Sequence, residues 1–318
     1  MARNGCRVGR PVVVGLLAVA TIVLGGGRIL GQGGTWSTKA SMPTARQGLG
    51  VGVIDGILYA VGGVSITKST NIYLNTVEAY DPSTNTWSTK ASMPTAREGL
   101  GVGVINGILY AVGGNGTSTH LTTVEAYDRS TNTWSTKASM PAGRDGLSVG
   151  IINGILYAVG GNGASADLNT VEAYDPSSNT WSTKASMPTG REGIGVGVIN
   201  GILYAVGGSG TGGVLSTVEA YDSSTNTWTA KASMPTARYG LSAEVKNGIL
   251  YAVGGSAGPT GFLNTVEAYD PSTSTWSKAP SLSTKRAFSG VGVANGVLYV
   301  VGGAINFGFL SINTVEAL

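Results

Sequence analysis

The chain has 318 residues, of which only 12% are charged and 51 are glycine, and its formal net charge is +3. Arg3, Arg7, Arg10 and Arg28 all precede Trp36, so the remainder of the chain holds 16 basic against 17 acidic residues and is close to neutral. That balance excludes a basic surface for nucleic acid, and the single cysteine, Cys6, excludes a disulfide framework.

Residues 1–34 read as a leader. A basic start is followed by the apolar run Val12–Leu24 and then by Gly25–Gly27, the layout of a secretory signal peptide. The run is short for a permanent membrane span, although an uncleaved N-terminal anchor stays open as the alternative. The expectation is export: a secreted, periplasmic or cell-surface protein, membrane-attached only through that segment. Any cut before Trp36 leaves the remainder whole.

Residues 35–318 form one repeat array. Gly-Gly pairs begin at 62, 113, 160, 207, 254 and 302, and tryptophans stand at 36, 87, 134, 181, 228 and 276. Both series advance by 51, 47, 47, 47 and 48 residues, as do Arg46, Arg97, Arg144, Arg191, Arg238 and Arg286. A period near 50 points to propeller blades.

Each unit reads as four strands. GVGVI (101–105) and ILYAV (108–112) flank Asn106-Gly107, a two-residue hairpin turn. Gly-Gly ends the second strand, and TVEAY and its copies alternate as a half-buried third. Asp81-Pro82-Ser83 makes a turn, and the fourth strand starts at Trp87. The first unit opens with a lone fourth strand at Trp36–Ala40, and the last stops at a third strand, 314–318. Joining them completes a sixth blade and removes an open sheet edge.

Arg, an apolar strand, Asn-Gly, Leu-Tyr, Gly-Gly, Val-Glu-x-Tyr-Asp, Asn-Thr-Trp and Met-Pro, in that order, resemble the kelch repeat over all six copies. The resemblance implies an all-β, six-bladed propeller of four-stranded antiparallel blades, closed here by the N-terminal strand. It also implies interaction roles, mainly through the face carrying the 4–1 and 2–3 loops.

Comparing the six copies separates blade-making positions from individual ones. The repeated arginines and Glu78, Glu125, Glu172, Glu219, Glu267 and Glu316 recur in every copy, which favours a structural role, pairing within or between blades, over an anion-binding ring. Variation concentrates after each arginine, at Gln47, Glu98, Asp145, Glu192, Tyr239 and Ala287, and in the loops after Gly-Gly. In an up-and-down blade these two sets emerge on one face, which makes that face the candidate binding site. Tyr73 in the longest loop, His120, Phe262 and Phe307 join the candidates, the phenylalanines as an apolar patch or as groups folded back onto the blade edge.

Two further positions are singular. Glu244 and Lys246 replace the residues matching Gly103 and Ile105, so Glu244 is expected at the central channel or an inter-blade gap, with Lys246 as a candidate partner. His120 is the only histidine, and with no second histidine or processed-chain cysteine beside it no metal site or cofactor is expected. These readings favour an exported binding module for a protein or glycan ligand. The alternative is a secreted, metal-free carbohydrate enzyme resembling the six-bladed bacterial sialic acid epimerases. That chemistry would use a carboxylate beside an arginine, as Arg97-Glu98, Arg144-Asp145 or Arg191-Glu192 would supply. A third reading is a purely structural scaffold.

Overall fold

Turn chemistry explains how each unit folds. Strand Gly101–Ile105 turns at Asn106-Gly107 into Ile108–Val112. Asn106 has φ 50° and Gly107 φ 78°, the left-handed pair that a two-residue hairpin needs. After a loop comes Val124–Asp128, and a turn held by Ser130 N–H donating to Asp128 Oδ1 at 2.8 Å leads to Thr133–Lys137. The computed structural model describes residues 1–2, 34–68, 70–117, 120–306 and 310–318. It contains six such four-stranded antiparallel sheets, the blades of an all-β propeller, numbered here from the one that starts at Gly50–Ile54. The apolar leader run lies outside the described residues. Among those residues no helix is long and apolar enough to cross a membrane.

Blade 6 is assembled from both ends of the array. Gly290–Ala294, Val297–Val301 and Val315–Ala317 are completed by Ser37–Lys39, with Thr38 opposite Glu316. Trp36 Nε1 then donates to Pro280 O at 2.8 Å, as Trp87 Nε1 does to Ala40 O at 2.9 Å. Each tryptophan so latches its outer strand to the preceding blade.

Apolar burial lies between blades. Ile54, Tyr59 and Val77 of blade 1 pack against Leu100, Leu109 and Tyr127 of blade 2, and the pattern repeats round the ring. The inner strands carry glycine because neighbours come so close: a Cβ on Gly50 would stand 2.1 Å from Val102 Cγ2.

The repeat arginines are blade staples. All six are fully buried, and each ion-pairs with the third-strand glutamate of its own blade. The pairs are Arg46–Glu78 (2.8 Å), Arg97–Glu125, Arg144–Glu172 (3.1 Å), Arg191–Glu219 (2.9 Å), Arg238–Glu267 (2.8 Å) and Arg286–Glu316 (2.5 Å). Arg46 Nη1 also donates to Gly62 O and Thr76 O, each at 3.0 Å, while its own carbonyl accepts from Gly303 N–H of blade 6 at 2.9 Å. Burial pulls each guanidinium below its usual pKa, and the paired carboxylate opposes the shift.

Candidate functional site

The residue two places after each repeat arginine builds a belt around the propeller axis. Gly99 N–H donates to Gly48 O, Gly146 to Gly99, Gly193 to Gly146, Gly240 to Gly193, Phe288 to Gly240, and Gly48 back to Phe288. These six bonds, 2.7–2.8 Å long, close a circle through every blade. The geometry needs left-handed backbone, and the five glycines have φ of 57–60°. The sixth position is Phe288 at φ 56°, the one side chain on the belt.

The variable residues preceding the belt converge at its mouth. Gln47, Glu98, Asp145, Glu192 and Tyr239 line one cavity of about 290 Å³ together with Ile66, Phe288 and four belt glycines. The two variable loop sets are knitted together beside it, Glu98 bridging Asn115, Asp145 bridging Asn162 and Gln47 bridging Val64. The longest loop forms a small hairpin, Val64–Ile66 against Asn71–Tyr73. It is tied to blade 6 by Ile66 N–H donating to Ser311 Oγ at 2.9 Å, which sets Ile66 over the mouth.

Other predicted residues take different places. His120 Nε2 lies 3.2 Å from Asp145 Oδ1, near enough for an ion pair once the imidazole is protonated, though not aligned as a hydrogen bond. Tyr73 is close enough to Glu98 and Asp145 for their charges to raise its phenol pKa, after burial, which raises it most. Phe262 is not a surface contact. It folds inward, 5% exposed, onto Ala287, Ala304 and Phe288, because the loop has an apolar bed on the blade edge to cover. Ala287 is likewise buried, and the cavity side chain of blade 6 is its neighbour Phe288. Phe307 lies outside the described residues. Phe288 was legible as the one break in the Arg-x-Gly pattern of Arg46, Arg97, Arg144, Arg191 and Arg238.

Electrostatically the mouth is an acidic arc facing an aromatic one. Blades 2, 3 and 4 supply Glu98, Asp145 and Glu192, while Tyr239 and Phe288 of blades 5 and 6 meet edge to face at 5.8 Å. Burial pushes Glu98 up to about 7, with the Asp145 charge adding to it. Burial also raises Asp145, opposed by His120, and raises Glu192, reinforced by Asp167 and Asp145. The arginine–carboxylate juxtaposition required for the enzymatic reading is not made: Arg97, Arg144 and Arg191 turn into their blades, away from the residues next to them in the chain. Among the described residues no three acidic, histidine or cysteine side chains are placed to hold a metal ion.

Below the mouth the inner strands line the channel. Among the described residues lining two cavities there, of about 350 and 450 Å³, Glu244 is the only charged one. It stands where the other blades have Gly52, Gly103, Gly150, Gly197 and Gly292. Burial lifts its pKa to about 7 against the opposing bond from Val245 N–H. Lys246 is not its partner, since Nζ reaches Leu318 O at 2.9 Å.

Comparisons with known proteins agree with this architecture. The profile of the KLHDC2/KLHL20/DRC7 Kelch-repeats domain matches residues 135–303, and the Kelch motif matches 45–94 and 96–141. Kelch-like ECH-associated protein 1B of Danio rerio is 43% identical over 82 residues, 26% of this chain and 14% of that protein. Kelch-like protein 28 of Homo sapiens is 37% identical over 87 residues, 26% of this chain and 15% of that one. The chain therefore matches only about a seventh of the length of these curated relatives. The solved structure of YjhT superposes with a TM-score of 0.74 at 18% identity, over 87% of this chain and 96% of that one, a likeness of fold. With a kelch profile spanning more than half of its length and six kelch blades in its structure, this chain belongs to the kelch-repeat family.

Proposed function

We propose that this propeller is an exported interaction module that grips a protein partner at the axial mouth of its variable face. One observation carries the reading: five positions that vary between otherwise near-identical repeats, with Phe288, surround a single cavity on the axis. Rigid blades presenting individual loops are a common way to build a binding surface. Beside the mouth the hairpin holds out Ile72, 55% exposed, an apolar contact next to a polar pocket, as interfaces combine them. The Danio rerio relative is itself named for an association, with ECH. The basic and apolar leader of residues 1–34 supports export.

The partner test compares faces. Protein captured by the immobilised chain should be lost on Ile72→Ser or Tyr239→Ala and retained on Thr131→Lys, in a turn of the opposite face. Capture that depends on the opposite face, or on neither, would remove the mouth from consideration, and a captured glycan would change the partner class. Export is tested by mass spectrometry of the protein recovered outside the cytoplasm, with a new N-terminus expected ahead of Trp36.

A further inference from the structure

Among the described residues, the charged side chains lining the mouth are carboxylates only, Glu98, Asp145 and Glu192, on three successive blades. Among the described residues none of them has a lysine or arginine partner, and the one basic side chain placed against them is the imidazole of His120, beside Asp145. Three mutually repelling acids in a partly buried cavity are costly to keep ionised unless something positive shares the space, and otherwise they hold on to protons. A separate observation points to the same missing group. Gln47, 5% exposed and lining the same cavity, has a buried Oε1 with no hydrogen-bond partner. A buried acceptor left unmade costs about 1–3 kcal/mol, so a donor is what the cavity lacks. Across the axis from Glu98 and Asp145, by blade order, stand Tyr239 and Phe288, and aromatic faces attract cations.

We infer that the mouth takes the cationic end of a basic side chain, an arginine or lysine of the protein partner. Its N–H groups would be held by Glu98, Asp145, Glu192 and Gln47 Oε1, with its flank against Tyr239 and Phe288. This rests on the mouth being the interaction site. A guanidinium suits it best, since several donors in one plane can meet acceptors on three sides while the flat face lies on an aromatic ring. A metal ion fits less well, because the acidic groups are not grouped as ligands. Protons compete with the cation for the same oxygens. The titratable groups facing the cavity are Glu98, Asp145 and Glu192, with Asp167, His120, Tyr73 and Tyr239 around them. Since Glu98 takes up its proton at about pH 7, affinity falls as pH drops through neutrality.

The test uses the purified protein and short blocked glycine peptides carrying one central arginine, lysine, glutamine or glutamate, followed by fluorescence anisotropy at pH 8. The arginine peptide should bind saturably, about tenfold or more tighter than its glutamine counterpart, with the glutamate peptide weakest. Glu98→Gln with Glu192→Gln should weaken it about tenfold, and lowering the pH to 6 should weaken it comparably for the unchanged protein. Those substitutions relieve repulsion, so a thermal melt should show a fold at least as stable. Equal binding of arginine and glutamine peptides, no saturation in the millimolar range, or undiminished affinity in the double variant overturns the assignment. If a protein partner is captured through the mouth by wild type and by the double variant alike, the cationic assignment fails while the interaction face stands. If no capture depends on the mouth, both fail.

Discussion

Phe288 occupies a backbone conformation that the five other blades give to glycine, and L-residues pay about 1–2 kcal/mol to enter it. The belt leaves no choice, because its N–H must meet Gly240 O and its carbonyl must meet Gly48 N–H. The ring offsets the cost by packing on Phe262, Ala287, Ala304 and Tyr239. The converse change has no such compensation: Gly193→Ala would keep φ near 57° and bring its Cβ to 2.9 Å from Gly240 N. It should destabilise by about 1–2 kcal/mol or more, read as a lower urea midpoint. Glu244 makes a second prediction. Its folded pKa, about 7, exceeds the ordinary value of 4.5, so the folded protein holds a proton that the unfolded chain releases. Stability is therefore undiminished below about pH 4.5, declines as pH rises toward 7, and stays lowered above it. Glu244→Gln should raise Tm by several degrees at pH 8.5 and leave it unchanged at pH 4.

At the scale of the blade, the arginine staple joins the loop before strand one to strands two and three. In blade 3, Arg144 Nη1 donates to Gly160 O and Thr170 O at 3.0 and 3.1 Å while Nη2 faces Glu172. Arg144→Met would strand Glu172, 5% exposed, without its countercharge, which should cost about 3–5 kcal/mol. Adding Glu172→Leu should recover much of that loss, since an apolar pair can replace a buried ion pair. Denaturant melts of the single and double variants check both statements. The repetition of Arg and Glu in all copies made this role legible. The inward turn of Phe262 was not, because a phenylalanine in a variable loop reads the same whether it meets solvent or, as here, Ala287 and Ala304 of the adjoining blade.

For the molecule as a whole, ring closure is the cooperative event. Ser37–Lys39 supplies the outer strand of blade 6, and Trp36 fastens that strand to blade 5. Deleting residues 35–43 should lower Tm and leave Val315–Ala317 as a bare edge open to pairing with another molecule. Calorimetry and sedimentation velocity together test this, the expected result being a lower transition and concentration-dependent association. An unchanged transition would mean that the closing strand contributes little.

The sequence alone determined the repeat, the strand sequence within it, the hairpin turns and the closure, because period, turn residues and alternation are local properties of the chain. It also marked Gln47, Glu98, Asp145, Glu192 and Tyr239 as individual and placed them on one face. Only the tertiary structure decided that they share a cavity, that the arginines beside them point elsewhere, and that Phe288 completes the wall. Positions about 47 residues apart become neighbours only when inter-blade packing curves the array into a ring and the belt of backbone bonds draws its inner ends to the axis.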